Sequence, residues 1–227
     1  MQIGIVAEGK TDQVVIEHII DGALADLGDT FVDMVQPPIA GGGPEDFGNW
    51  EHVFKWLASE RCRKALQFYD MLVVQIDTDV CERAGFDVSR REQARELEPR
   101  ELIERVAKRL EVQIGGELMA AYGFKIVFAI AVDELECWLL PLLFPNGQAK
   151  AAKVTGCFAV AMAELGRQNQ PGLLSAKNAT KDRARYAALS RPLRKPRPLQ
   201  LARQQQVSLD SFVISLVTKA TALRASS

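Results

Sequence analysis

Short apolar runs alternate with amphipathic stretches through the first two thirds of this chain. Residues 2–8 are largely apolar and predict a first strand. Val15, Ile16, Ile19, Ile20, Ala23, Leu24 and Leu27 then recur at helical spacing, and Gly28 closes that helix. Residues 31–36 predict a second strand. A Gly/Pro-rich loop from Pro37 to Gly48 leads to a helix near 50–67 that presents Val53, Phe54, Leu57 and Leu66. The run 70–77 predicts a strand, and a polar stretch over 80–98 ends at Pro99. That proline opens a helix with the face Leu102, Ile103, Val106 and Leu110. Lys125 to Ala131 predicts another strand, and Asp133 begins a further helix. This βα alternation predicts an α/β fold with a mostly parallel sheet and helices on both faces. Beyond about residue 150 only helices are expected. The last is capped by Ser208 and apolar at Leu209, Phe212, Val213, Leu216, Val217, Ala220 and Leu223. The expected division is an α/β domain over 1–150 and a helical extension over 151–227, with neither internal repeats nor a low-complexity tract.

Polar punctuation at the strand ends carries the chemistry. The first strand runs into Glu8-Gly9-Lys10-Thr11-Asp12, and the run Met71 to Ile76 ends in Asp77-Thr78-Asp79. In an open α/β sheet, the carboxyl ends of neighbouring strands meet in the crevice where ligands bind. Acids gathered there repel one another unless a divalent cation neutralises them, so Glu8, Asp77 and Asp79 point to a magnesium-type site. Gly4 to Thr11 also matches the phosphate-binding loop pattern letter by letter. Ile5-Val6-Ala7-Glu8 is β-forming rather than loop-like, however, and only three residues precede Gly4. The better parse makes Gly9 the turn and Thr11 or Asp12 the helix cap, with a P-loop kept as an alternative. Gly41-Gly42-Gly43 reads as a connector, with a phosphate cradle as the sharper alternative. An Asx-turn would account for one of Asp77 and Asp79 but not both. Lys10 is a turn residue that could meet a phosphate.

Composition narrows the class without naming a function. The 227 residues are 48% hydrophobic and 25% charged, as in an ordinary globular chain. No run approaches the ~20 apolar residues of a membrane span, and the N-terminus lacks a signal-peptide pattern. Cys62, Cys81, Cys137 and Cys157 are scattered, so reduced thiols in the cytoplasm are the expectation and a zinc site is not. The net charge of −1 hides an asymmetry. Residues 177–203 hold nine basic side chains against Asp182 alone, a +8 segment in a chain whose remainder carries −9. A basic face beside an acidic, metal-like centre suits a protein that cleaves phosphodiesters, and Arg191, Arg194, Lys195 and Arg197 are its expected nucleic-acid contacts. The plainer alternative is a solvated connector in which Pro192, Pro196 and Pro198 break any helix.

Glu8 after one strand and Asp77-x-Asp79 after a later one resemble the Toprim signature. That domain is shared by topoisomerases, bacterial primases, small ribonucleases and OLD-type nucleases. Asp133-Glu134-Leu135-Glu136-Cys137-Trp138-Leu139-Leu140 resembles a Glu-x-Trp-Leu-Leu segment of a bacterial Toprim-like family of unknown function. The resemblance covers residues 2–145 and implies a Toprim-like sheet. It implies metal-dependent phosphoryl transfer, with Asp77 and Asp79 holding Mg²⁺ (or Mn²⁺) and Glu8 serving as general acid/base or ligand of a second metal. Glu134 and Glu136 are second-tier ligand candidates, with a capping-box arrangement from Asp133 to Glu136 as the competing reading. A topoisomerase is disfavoured, since no tyrosine stands in a distinctive context, and primase modules are missing. The expectation is a nuclease acting on DNA or RNA, without a membrane partner. A non-catalytic nucleic-acid- or partner-binding module is the alternative, and a homo-oligomer or partner protein is left open.

Overall fold

The computed structural model describes residues 1–38, 49–145 and 148–225. Strand β1 (Gln2–Val6) leads to helix α1 (Lys10–Ala23), β2 (Phe31–Gln36), α2 (Trp50–Leu57), α3 (Glu60–Phe68) and β3 (Met71–Asp77). A charged hairpin, β4 (Arg91–Glu92) and β5 (Arg95–Glu96), precedes α4 (Pro99–Ile114), α5 (Gly116–Tyr122) and β6 (Ile126–Ala131). The remaining helices are α6 (Leu140–Leu143), α7 (Cys157–Arg167), α8 (Arg183–Ser190), α9 (Pro196–Arg203) and α10 (Val207–Ala225). The four long strands form one parallel sheet in the order β2-β1-β3-β6. The glycine triplet Gly41–Gly43 lies outside the described residues.

The period of two in β1, β3 and β6 explains why both of their faces are largely apolar. Ile3, Ile5, Met71, Val73, Val127 and Ala129 point to one face, where α1 and the helices beyond residue 135 cover them. Val6, Leu72, Val74, Ile76, Ile126 and Ile130 point to the other, under α2, α3 and α4. A strand buried on both sides has no polar face to show, as the run patterns anticipate. Trp138, Phe212, Val213 and Leu216 share a core cluster with Ile3 and Val73, so the C-terminal helices and the sheet are packed as one body.

Local differences from the expected elements have physical reasons. The helix near 50–67 is two helices, because Ser59 accepts a bond from the Arg61 amide and caps a fresh start. Asp133 has φ 66° and cannot open a helix; a 3-10 turn over Leu135–Leu139 follows instead. Pro196 and Pro198 lie within α9, whose first turn tolerates them because its amides have no intrahelical acceptors. Ser208 is the second residue of α10, and its hydroxyl accepts a bond from Trp138 Nε1 at 2.7 Å. Cys137 and Cys157 form a disulfide, contrary to the expected reduced thiols. Their separation of 20 residues gives no local motif; the fold brings the 3-10 turn against the start of α7, with Cα atoms 4.9 Å apart. Cys62 and Cys81 are buried free thiols. No helix among the described residues is long and apolar enough to cross a membrane.

Candidate functional site

The carboxyl ends of β1 and β3 are tied together by side chains as well as by the sheet. Asp77 N–H donates to Glu8 Oε1 at 2.7 Å, and Glu8 N–H donates to Gln75 Oε1 at 3.0 Å. Gln75 Nε2 then donates to Asp77 Oδ1 at 2.8 Å, closing the ring. Gln75 is fully buried and lies two residues before Asp77, so strand periodicity puts both side chains on the face that α1 covers. A buried glutamine in an otherwise apolar strand is the sequence signal for this positioning role.

Two more acids and a lysine complete the cluster. Asp12, in the first turn of α1, is 5% exposed. Glu136, in the 3-10 turn after β6, is fully buried, and its Oε1 accepts from both Tyr186 Oη and Lys181 Nζ, the latter at 2.6 Å. Glu136 Oε2 is buried with no partner among the described residues. Lys181 arrives on a tight loop: Leu174 pairs with it in a bridge, Ser175 N–H donates to Thr180 O, and Arg185 Nη1 binds the Gly172 and Leu174 carbonyls. Asp182 then caps α8 through the Ala184 amide at 2.9 Å. Two long-range partners, Lys181 and Tyr186, are thus delivered by one anchored connection.

Burial and like charge act in the same direction on Glu8, Asp12 and Asp77. Burial raises the Glu8 carboxyl to about 8; the Asp77 amide opposes this and the charges of Asp12 and Asp79 add to it. Burial raises Asp12 to about 6, against the pull of Lys181 and with the push of Glu136. Asp77 is driven well above the usual carboxylate range by burial and then by Glu8, Asp12 and Glu136. Burial pulls the Lys181 ammonium down, yet Glu136, Asp12 and Asp77 together hold it above the ordinary lysine range. Tyr186 is held above the usual phenol range by burial and by Glu136. Lys181 is therefore the counter-charge that all four carboxylates feel.

The other sequence candidates sit at the rim or away from it. Asp79 is exposed, accepts a bond from its neighbour Val80 N–H, and feels Asp133 and Arg83 as well as Lys181. Glu134 Oε1 accepts from Phe158 N–H, and Asp133 accepts from Gly156 N–H at 2.8 Å and from Arg90 at 3.2 Å. These two acids hold the start of α7, whereas Glu136 points into the cluster and makes no capping box with Asp133. Lys10 opens α1 at the acidic edge. Arg194 pairs with Asp21 at 2.8 Å, in the last turns of α1 and roughly 16 Å along that helix from Lys10. Arg191, Lys195 and Arg197 accompany it, so the basic segment meets the acidic edge through Lys181 and then runs away from it along α1. Two of the amides that a phosphate-binding loop would offer, those of Ala7 and Glu8, are already engaged. Ala7 N–H donates to Gln36 O, Glu8 N–H donates to Gln75, and Gly4 lies inside the sheet.

Among the described residues, no three His, Cys, Asp or Glu side chains stand as a ready coordination shell. The chemistry of the donors nevertheless fits a hard cation. They are all carboxylate oxygens, they are short of positive charge, and one buried oxygen of Glu136 has nothing to bind. Compared with known proteins, the chain matches no family model, no curated protein and no solved structure.

Proposed function

We propose that the acidic edge is a divalent-cation site of a Toprim-like phosphoryl-transfer protein, a nuclease acting on DNA or RNA. The observation that carries this reading is the convergence of Glu8, Asp12, Asp77 and Glu136 on a single ammonium. A fold gains nothing in stability from gathering four carboxylates around one lysine; a cation-binding role explains the arrangement. Asp77, Glu136 and Asp12 would hold Mg²⁺ or Mn²⁺. A bound cation supplies charge stabilisation at a phosphoryl oxygen. Glu8, raised to about 8, holds a proton at neutral pH and is placed to exchange it with a substrate oxygen. Lys181, partly exposed at 43%, can turn its ammonium from Glu136 to a phosphate oxygen.

One observation favours a second reading, a nucleic-acid- or partner-binding module without turnover. Lys181 already neutralises Glu136, and the acids are not pre-set as a shell. Two measurements decide between them. Thermal unfolding with Mg²⁺ or Mn²⁺ should show a rise in Tm that Asp77→Asn removes, as ligand linkage requires. Cleavage of single- and double-stranded DNA and RNA should depend on the metal and be lost in Glu8→Gln and Asp77→Asn. A metal-dependent Tm without cleavage of any substrate supports the binding module. No metal response at all overturns the cation site.

A further inference from the structure

A polar cavity lies at the same edge of the sheet, on the face opposite α1. It measures about 130 Å³ and is lined by Gln36 at the end of β2, His52, Lys55 and Trp56 on α2, and Ser59 and Arg61 at the start of α3. Three of these residues carry buried polar atoms with no hydrogen-bond partner among the described residues: Gln36 Oε1, His52 Nδ1 and Trp56 Nε1. Gln36 and Trp56 are each 4% exposed. Unsatisfied buried groups are costly, and native folds rarely leave three around one void. His52 and Trp56 stand four residues apart, so the helix repeat aims both at the same place. Ser59, by contrast, is satisfied: its hydroxyl donates to Trp56 O at 2.6 Å and accepts from Arg61 N–H at 3.2 Å.

We propose that this cavity is a binding subsite for a phosphate group. An indole N–H can only donate, and Lys55 brings positive charge to the cavity wall. The ligand must therefore present acceptors and negative charge. Gln36 can turn either its oxygen or its NH₂ inward, and His52 can donate or accept, so a phosphate oxygen and a P–OH are both accommodated. The volume suits one tetrahedral oxyanion or several waters. The subsite is joined to the acidic edge by backbone, since Ala7 N–H donates to Gln36 O at 2.7 Å directly before Glu8. Neither a metal nor turnover at that edge is needed for it to bind.

The test uses the indole N–H resonances of the full chain, with that of Trp56 assigned by its loss in Trp56→Phe. Orthophosphate, against chloride at equal ionic strength, should shift the Trp56 signal saturably and leave those of Trp50 and Trp138 in place. Lys55→Gln should weaken the binding roughly tenfold, the loss expected for one hydrogen bond to a charged group. A 5′-phosphorylated dinucleotide that binds where its unphosphorylated form does not supports the subsite as a reader of strand ends. Response to orthophosphate alone supports it as a free-anion site. No saturable shift, or one that Lys55→Gln leaves unchanged, means that water fills the cavity and overturns the proposal. Since the readout needs no metal, its failure is separate from failure of the cation site.

Discussion

Replacing Lys181 by methionine removes an ammonium that Glu8, Asp12, Asp77 and Glu136 share, while keeping the length of an apolar stem. The Lys181–Glu136 contact is 2.6 Å, with Glu136 fully buried and the lysine side chain 43% exposed. Removing one partner of a fully buried pair costs about 3–5 kcal/mol, and solvent screening of the exposed lysine lowers that to about 2–3 kcal/mol here. The loss should depend on pH, because the acids can take up a proton in place of the lost cation. Urea unfolding of Lys181→Met should show the full deficit at pH 8 and a much smaller one at pH 5. Glu136→Gln in the same chain should restore most of the stability, since the buried charge then disappears with its partner. Divalent cations should raise the Tm of Lys181→Met more than that of the parent, as they would replace the missing charge. A deficit under about 0.5 kcal/mol, or one equal at pH 5 and pH 8, would refute the electrostatic account of the cluster.

The parent chain without divalent cations should itself lose stability as pH rises between about 4.5 and 8. Glu8 and Asp12 are raised to about 8 and 6, so the folded state binds the extra protons and the stability they bring is present at low pH and lost as they leave. The slope should reach up to about 1.4 kcal/mol per pH unit for each such proton, and Glu8→Gln should flatten it in urea titrations at stepped pH. Gly22→Ala should undock the 191–194 turn, because a Cβ there would lie 2.0 Å from Leu193 O; about 2–3 kcal/mol or more should be lost by urea unfolding. Ser208→Ala leaves the Trp138 indole N–H without its acceptor and should cost about 1–3 kcal/mol in the same assay, with no change in metal response.

The sheet was legible because its strands are buried on both faces. Residues 71–77 and 126–131 carry no competing helical period, and the parallel pairing follows from the helices between them. What periodicity could not supply was the behaviour of chain ends and connections. A proline cluster at 192–198 looks like a helix breaker, yet two of the three open a helix, because a missing N–H matters only beyond the first turn. The disulfide was invisible for a related reason. Neither Cys137 nor Cys157 belongs to a local motif, and only the packing of α7 against the 3-10 turn brings them within bonding reach.

The site divides along the same line. Glu8 and Asp77 could be read from the chain because each ends an apolar strand, and two parallel neighbours place their ends side by side. Asp12 reads from the chain as a helix cap and Glu136 is ambiguous, since an acid in a first helical turn has a capping role open to it. Burial removes the ambiguity for Glu136, which is fully buried and contacts Tyr186 and Lys181. Lys181 was the least legible, as one of nine basic residues in a segment that reads as a solvated face. Its charge counts most because it alone is delivered by the 172–182 loop to the acids, while Arg194 is spent on Asp21 and Arg203 on Asp210. Net charge over a segment therefore says little about where that charge acts. If nucleic acid binds here, charge reversal at Lys195 and Arg197 should weaken binding and its salt dependence modestly, whereas Lys181→Met should abolish cleavage with little change in the salt slope. Filter binding at stepped salt beside a cleavage assay separates the two, and a Lys181→Met chain that cleaves normally would remove the lysine from the chemistry.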